Sequence, residues 1–164
     1  MNRLDTDAIN QHSPYDVYSE DDQYVFVTES GIEYHVDFEL DSNPYYTAYW
    51  FNLANPKQSK SHGDKKIPQT IICIIEEFFA KNPDIMLYIC STANNQQSQR
   101  ARLFLHWFNG YEQRQRYYIR AVEVKGDDGS TDYVALIMQR NHPQFDNVVA
   151  RFEAEIAMFN EYKP

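Results

Sequence analysis

The segment from Cys90 to Arg100 combines the side chains in this sequence that are best suited to bind a ligand. Cys90 ends an apolar run, and the polar residues after it lead into the predicted N-terminus of a helix. Free backbone N–H groups at a helix N-terminus, together with the helix dipole, favour a bound anion. Arg100 falls on the apolar face of that helix, where its guanidinium requires a partner or a cleft. We therefore predict a ligand-binding site composed of Cys90, Ser91, Thr92, Asn94 and Arg100.

These residues also have simpler structural roles. Arg100 can form an internal salt bridge with an acidic residue of the N-terminal third, and we favour that interpretation. Cys90 would be a nucleophile only with a histidine beside it, and His106 projects to the opposite face of the predicted helix. A cysteine that ends a core strand is more often a small apolar side chain. The sequence has no glycine-rich phosphate loop, and we predict no catalytic residue.

Glu33, His35 and Asp37 alternate along a predicted strand, so their side chains share one face. Carboxylate and imidazole groups at this spacing are the start of a metal site. A solvent-facing strand of any acidic protein has the same pattern, and the sequence contains no HxH, HxxxH or CxxC motif. We therefore predict neither a metal nor a cofactor. Cys73 should be an unreactive thiol because two neighbouring glutamates raise its pKa.

Charge is distributed unevenly along the chain. Residues 1–46 contain 11 acidic side chains and one basic side chain, a net charge of −10, whereas the remainder of the chain is +1. Such an acidic segment repels nucleic acid and anionic membranes and favours a basic protein partner. Arginines and aromatic residues alternate between Arg100 and Arg120, a pattern that can bind single-stranded nucleic acid. The acidic total charge and the core-like spacing of these aromatic residues argue against that role.

The sequence lacks the features of an exported or membrane protein. No apolar run approaches the roughly 20 residues that span a membrane. The polar N-terminus has neither the basic nor the apolar region of a secretory signal. Two cysteines do not make a disulfide framework. We therefore expect a cytoplasmic protein with reduced thiols.

Hydrophobic periodicity predicts an α+β fold, with a mainly antiparallel sheet of about six strands and three helices in the order βββαβαββα. Residues 1–22 are predicted to be a loosely ordered acidic N-terminal tail, and residues 23–164 a single domain. The uninterrupted apolar run Ile85–Cys90 is predicted to be a central strand covered on both faces. The predicted helices lie near residues 67–81, 97–113 and 143–162.

Residues 24–40 are predicted to form a β-hairpin with a two-residue turn at Ser30 and Gly31. This turn sets a register that pairs Val27 with Tyr34 and Val25 with Val36, all on the core side. Residues 45–53 are predicted to form an aromatic third strand. If that strand lay at the edge of the sheet, it would provide a route to a homodimer.

Several segments resemble a family of small uncharacterised bacterial proteins, mainly from Bacteroidetes, that share a domain of unknown function. The similar segments are Tyr24–Phe26, Gly31–Val36, Thr70–Ile71, Phe78–Phe79, Tyr88–Cys90, Arg100–Phe104 and Trp107–Phe108. The resemblance covers about residues 20–160. It implies no established activity, so no catalytic residue follows from it.

Two classes of function are compatible with these observations. The first is a non-catalytic interaction module, such as an immunity, antitoxin-like or adaptor protein, that binds a basic partner through its acidic N-terminal strands. The second is an enzyme or small-ligand receptor whose site lies at the Cys90 strand end, with Arg100 holding an anionic group. We favour the first class because the sequence contains no catalytic signature.

Overall fold

The structure is a computed structural model that describes residues 1–56, 63–91, 106, 110, 115–126, 129 and 131–161, with the backbone alone for Cys90 and Ser91. The described residues give the bounds of three helices: α1 (Thr6–Asn10), α2 (Lys66–Lys81) and α3 (Phe145–Glu161). They contain seven strands: β1 (Tyr18–Glu20), β2 (Gln23–Val27), β3 (Glu33–Leu40), β4 (Ala48–Ala54), β5 (Ile85–Ser91), β6 (Tyr117–Lys125) and β7 (Thr131–Gln139). The helix predicted at residues 97–113 lies outside the described residues, except for His106 and Gly110, which are helical.

The strands form one hydrogen-bonded sheet in the order β1-β2-β3-β4-β5-β7-β6. The pair β4–β5 is parallel, whereas β1–β2, β2–β3, β5–β7 and β6–β7 are antiparallel. The parallel pair exists because α2 connects β4 to β5 and returns the chain to the same end of the sheet. The predicted α+β class with a mainly antiparallel sheet is confirmed. The sheet is nevertheless mixed and has seven strands rather than six, because the three-residue β1 is too short to give a sequence pattern.

The chain forms two compact units: residues 1–40 with 51–83, and residues 41–50 with 84–164. The first unit contains α1, α2 and β1 to β3, and the second contains α3 and β5 to β7. β4 begins in the second unit and ends in the first. β4 lies between β3 and β5, so the suggestion that the third predicted strand is a sheet edge is wrong.

In the first unit, α2 packs through an apolar stripe whose members recur every three or four residues. Phe78 of α2 stacks on Phe38 of β3, with ring centroids 4.6 Å apart. Phe38 also contacts Phe51 of β4 edge-on, at 5.7 Å between centroids. The helix predicted near residues 67–81 is confirmed. The residues of its apolar stripe are all buried: Ile67, Ile71, Ile74, Ile75 and Phe78.

The hairpin of β2 and β3 has a different register from the predicted one. Its loop has three residues rather than two, because the Thr28 N–H donates to the Ile32 carbonyl and the Gly31 N–H donates to the Thr28 carbonyl. Gly31 has φ +80°, the left-handed conformation that such a loop requires at this position. The extra loop residue shifts the pairing by one. The observed pairs are Tyr24 with Val36, Val25 with His35, Phe26 with Tyr34 and Val27 with Glu33.

Residues 1–22, predicted to be a loosely ordered tail, contain α1 and β1. Asp5 caps α1, since its side chain accepts hydrogen bonds from the N–H groups of Asp7 and Ala8. The Tyr15 N–H donates to the Thr70 hydroxyl of α2 at 3.4 Å. Four apolar side chains of this segment are buried: Leu4, Ile9, Tyr15 and Val17.

In the second unit, β5 lies between β4 and β7, and Ile85–Tyr88 are all buried. The predicted central position of this strand is therefore confirmed, but the prediction that the whole run is covered on both faces is wrong, because Ile89 is 49% exposed. Val148 and Phe152 of α3 pack on a core that includes Leu87 of β5. The buried residues of α3 are Val148 and Phe152, whereas Phe159 near its C-terminal end is 51% exposed.

Candidate functional site

One face of the β1–β2–β3 sheet in the first unit carries most of the polar side chains of these strands and is partly exposed to solvent. Residues that lie opposite one another in an antiparallel pair point to the same face, and successive residues alternate between faces. The face opposite α2, which we call the open face, is formed by Tyr18, Glu20, Gln23, Val25, Val27, Glu33, His35, Asp37 and Glu39. Tyr18 and Val27 are 42% and 43% exposed, so the open face contacts solvent there, whereas Val25 between them is fully buried.

A chain of hydrogen bonds crosses the open face from β3 to β2 and on to β4. Glu33 Oε1 lies 2.7 Å from His35 Nε2, and His35 Nδ1 lies 2.9 Å from Gln23 Oε1. Gln23 Nε2 donates to one oxygen of Asp37 at 3.2 Å. Asn52 Nδ2 donates to the other oxygen of Asp37 at 2.7 Å. Each side chain therefore has a fixed orientation on the sheet.

The donors and acceptors in this series of hydrogen bonds follow from the chemistry of the side chains. Asp37 accepts from Gln23 Nε2, so the amide of Gln23 presents its oxygen to His35 Nδ1. The other ring nitrogen of His35 faces the carboxylate of Glu33. Both ring nitrogens therefore face oxygen acceptors, which fixes the orientation of the imidazole ring.

The open face has a negative local charge. β1, β2 and β3 together contain Glu20, Glu33, Asp37 and Glu39, and they contain no lysine or arginine. The pKa of Tyr18 is raised, first by partial removal of its hydroxyl from water and then by the carboxylates of Glu33 and Glu20. The contribution of the two carboxylates shows that an added negative charge is unfavourable beside them.

The three residues singled out in the sequence, Glu33, His35 and Asp37, do lie on one face. Among the residues that the structure describes, no three histidine, cysteine, aspartate or glutamate side chains are grouped closely enough to hold a metal ion. Sequence reasoning missed Gln23 and Asn52, which connect these groups through hydrogen bonds. The observed register pairs Val25 with His35. Gln23 is two residues from Val25 along β2, so it lies on the same face as His35, and a correct register would have revealed it.

The predicted ligand site lies only partly within the described residues. Cys90 and Ser91 end β5, whereas Thr92, Asn94 and Arg100 are outside the described residues. Asp132 of β7 is opposite Ser91 in the register. One of its carboxylate oxygens is shielded from solvent and accepts no hydrogen bond from any described residue. The site itself stays a prediction.

Two further residues considered in the sequence have defined surroundings. Cys73 is half-buried in α2, and burial, followed by the charge of Glu76, raises its pKa to about 11. The expected direction of this shift is confirmed, although burial rather than acidic neighbours is its main cause. His106 is exposed.

The fold and the open face define an α+β protein with one helix-covered and one acidic sheet face in its first unit. The chain belongs to a family of unknown function (DUF6169), whose profile matches residues 63–154, more than half of the 164 residues. The resemblance to a family of unknown function is thereby confirmed over a shorter range than expected. No curated protein matches the chain. No helix in the described ranges has the length and apolar character needed to cross a membrane.

Proposed function

We propose that this protein is a non-catalytic interaction module that binds a basic partner protein through the open face. The observation that carries the proposal is the set of four carboxylates, with no lysine or arginine, on the three strands that form this face. We further propose a bacterial cytoplasmic role of the immunity, antitoxin-like or adaptor kind, in a family found mainly in Bacteroidetes. The proposal gives the acidic N-terminal third a function beyond solubility.

Charge complementarity supports this kind of recognition. An acidic surface accelerates the association of a basic partner and disfavours acidic competitors. Glu20 and Glu39 are exposed and can form ion pairs without losing existing hydrogen bonds. Such exposed pairs contribute about 0.2–1 kcal/mol each, so several must act together.

The ordered centre of the open face supports the same proposal. Asp37 and Gln23 are held by hydrogen bonds before any partner binds, so little side-chain entropy is lost when they make contact. Tyr18 and Val27 add exposed apolar surface beside these polar groups. A tyrosine next to ordered polar side chains is typical of the residues that carry most of the binding energy in protein interfaces.

Heptalysine provides a defined basic probe for the open face. The double variant Glu20→Gln/Glu39→Gln removes two negative charges from this face and breaks no hydrogen bond given by the structure. The control variant Asp7→Asn/Asp16→Asn removes two exposed negative charges from the segment that precedes β1. Isothermal titration at low salt should show binding weakened about fivefold by the first variant.

The control variant should retain the affinity of the unmodified protein to within about twofold. The affinity of the unmodified protein should also fall as salt is added, because the interaction is electrostatic. If the two double variants weaken binding equally, heptalysine responds to total charge alone and the proposed surface is wrong. Absence of binding at low salt would also contradict the proposal.

A further inference from the structure

β6 is the last strand of the sheet, so one of its two edges pairs with β7 and no described strand pairs with the other. The strand is nine residues long, contains no proline, and keeps one register against β7 over its whole length. Proteins usually protect a free edge by shortening it, bulging it or placing a proline in it. The free edge of β6 has none of these three features. It belongs to the second unit, whereas the open face belongs to the first.

One hydrogen bond shows which backbone groups of β6 point to this free edge. The Arg140 N–H donates to the Arg116 carbonyl at 2.9 Å, and these two residues lie opposite each other in the register of β6 and β7. Hydrogen-bonded and non-hydrogen-bonded pairs alternate along an antiparallel ladder. The N–H and carbonyl groups of Ile119, Ala121 and Glu123 therefore point away from β7.

These outward backbone groups are available to a partner. None of them forms a hydrogen bond with a described residue. Ala121 and Glu123 are exposed, and Ala121 has only a methyl side chain, so its N–H and carbonyl groups are accessible to a second strand. Backbone groups in this arrangement form their hydrogen bonds with water or with an added strand.

The helix that packs on β6 leaves space beside this edge. Arg120 Nε of β6 donates to Glu153 Oε1 of α3 at 2.6 Å, so the side of α3 that carries Glu153 lies towards β6. Ala150 is three residues before Glu153 and Ala157 is four residues after it, so both share that side of the helix. Both alanines are exposed, and their short side chains allow another chain to approach the edge.

We propose that this protein forms a homodimer in which the free edge of β6 pairs antiparallel with the same edge of a second copy. A two-fold axis relates the two strands, so both copies use the same surface. The pairing supplies a carbonyl for each outward N–H group and an N–H group for each outward carbonyl. The backbone groups alone accept any extended strand, whereas the side chains of β6 favour a second copy.

The register of the dimer follows from the length and the side chains of β6. Ala121 is the middle residue of the nine, so a two-fold axis at Ala121 pairs the whole of one β6 with the whole of the other. The two copies of Ala121 then form the central hydrogen-bonded pair, where the small side chains make no clash. Each charged residue of β6 lies opposite an uncharged one, so no like charges are directly opposed. The facing pairs are Arg120 with Val122, Glu123 with Ile119, and Lys125 with Tyr117.

Ala121→Lys and Ala121→Glu test the position of the two-fold axis. In the dimer, each variant sets two like charges directly opposite, which should raise the dimer dissociation constant about fivefold at low salt. A one-to-one mixture of the two variants sets opposite charges there, so its mixed dimer should be about as tight as the dimer of the unmodified protein. Analytical ultracentrifugation over a range of protein concentrations measures each constant.

Ala80→Lys is the matched control, because Ala80 is an exposed alanine of α2 in the first unit. It adds the same charge as Ala121→Lys and should leave the dissociation constant unchanged within about twofold. A thermal melt of each variant establishes that a loss of association is not a loss of fold.

Amide hydrogen exchange of the unmodified protein locates the interface. The N–H groups of Ile119, Ala121 and Glu123 should exchange about tenfold more slowly in concentrated protein than in dilute protein, because the second copy accepts their hydrogen bonds. The N–H groups of Arg120 and Val122 point to β7 in both states, so their exchange rates should change less.

The proposal is overturned if the protein stays monomeric up to about millimolar concentration. It is also overturned if Ala121→Lys associates as tightly as the unmodified chain, or if the mixture of the lysine and glutamate variants associates no more tightly than each variant alone. Equal exchange rates of the three outward amides in dilute and concentrated protein would exclude β6 as the interface and would contradict the proposal.

Discussion

Replacing Gly31 with alanine tests the three-residue loop that sets the register of the open face. Gly31 has φ +80°, a left-handed conformation that costs an L-residue about 1–2 kcal/mol. A Cβ at this position would meet no heavy atom within 4 Å, so steric clash adds nothing. Alanine also reduces the entropy of the unfolded chain, which offsets about 0.4–1 kcal/mol. We therefore expect Gly31→Ala to lower the free energy of unfolding by about 1 kcal/mol.

Urea unfolding followed by circular dichroism measures this change, and the melting temperature should fall by about 2–4 °C. Gly31→Asn should be less damaging, because asparagine tolerates the left-handed conformation better than alanine. Ser30→Gly distinguishes the two loop types. A two-residue type I′ turn would need positive φ at both Ser30 and Gly31, and glycine at position 30 would then stabilise it. Ser30 does not have positive φ, so Ser30→Gly should not raise the free energy of unfolding. A rise with Ser30→Gly, or no change with Gly31→Ala, would refute the assignment of a three-residue loop.

Three further predictions follow from buried groups. Phe152→Ala should lower the free energy of unfolding by about 3–5 kcal/mol in urea titrations, because Phe152 is 4% exposed in the core of the second unit. The control Met158→Ala, at a 54% exposed position, should lower it by less than about 0.5 kcal/mol. The thiol of Cys73, with a pKa of about 11, should resist iodoacetamide in the folded protein at neutral pH, as measured by mass spectrometry of its peptide; rapid alkylation would contradict its burial. The pKa of Asp84 is raised above its ordinary value of 3.8, so the folded protein holds this proton more tightly than the unfolded chain does. The free energy of unfolding is therefore undiminished below the ordinary pKa and falls as pH rises through the folded pKa. Asp84→Asn should remove that decline from a plot of melting temperature against pH.

Elements with strong periodicity could be predicted from the sequence. The stripe of α2 repeats at helical spacing, and Ile85–Cys90 is an uninterrupted apolar run, so each pattern has one structural interpretation. The register of the hairpin could not be predicted in the same way. Tyr24–Val27 is apolar at every position, so it does not show which alternate residues face α2. The turn then decided the register, and the sequence did not show that Glu29 belongs to the loop.

The order of residues 1–22 depends on contacts that are distant in sequence. The Asn2 N–H donates to Asn82 Oδ1 at 2.8 Å, across 80 residues. The Leu4 N–H donates to the Tyr24 hydroxyl at 2.9 Å. These partners cannot be found from periodicity, because the buried residues of the segment are irregularly spaced and β1 has three residues.

Only part of the candidate site could be predicted from the sequence, because some of its contacts join residues that are distant along the chain. Glu33, His35 and Asp37 share a face because strands alternate, and that follows from the sequence alone. Their partners Gln23 and Asn52 come from neighbouring strands, so they require the register and the strand order.

The most direct test of the proposed function is an amide NMR map of the unmodified protein titrated with heptalysine at low salt. The open face should account for the interaction, so the largest chemical shift changes should occur on the backbone amides of Tyr18–Glu20, Gln23–Val27 and Glu33–Leu40. These changes should reverse when salt is added. Shift changes that concentrate outside these three strands, or that are spread evenly over all acidic residues, would contradict the open face as the partner-binding surface.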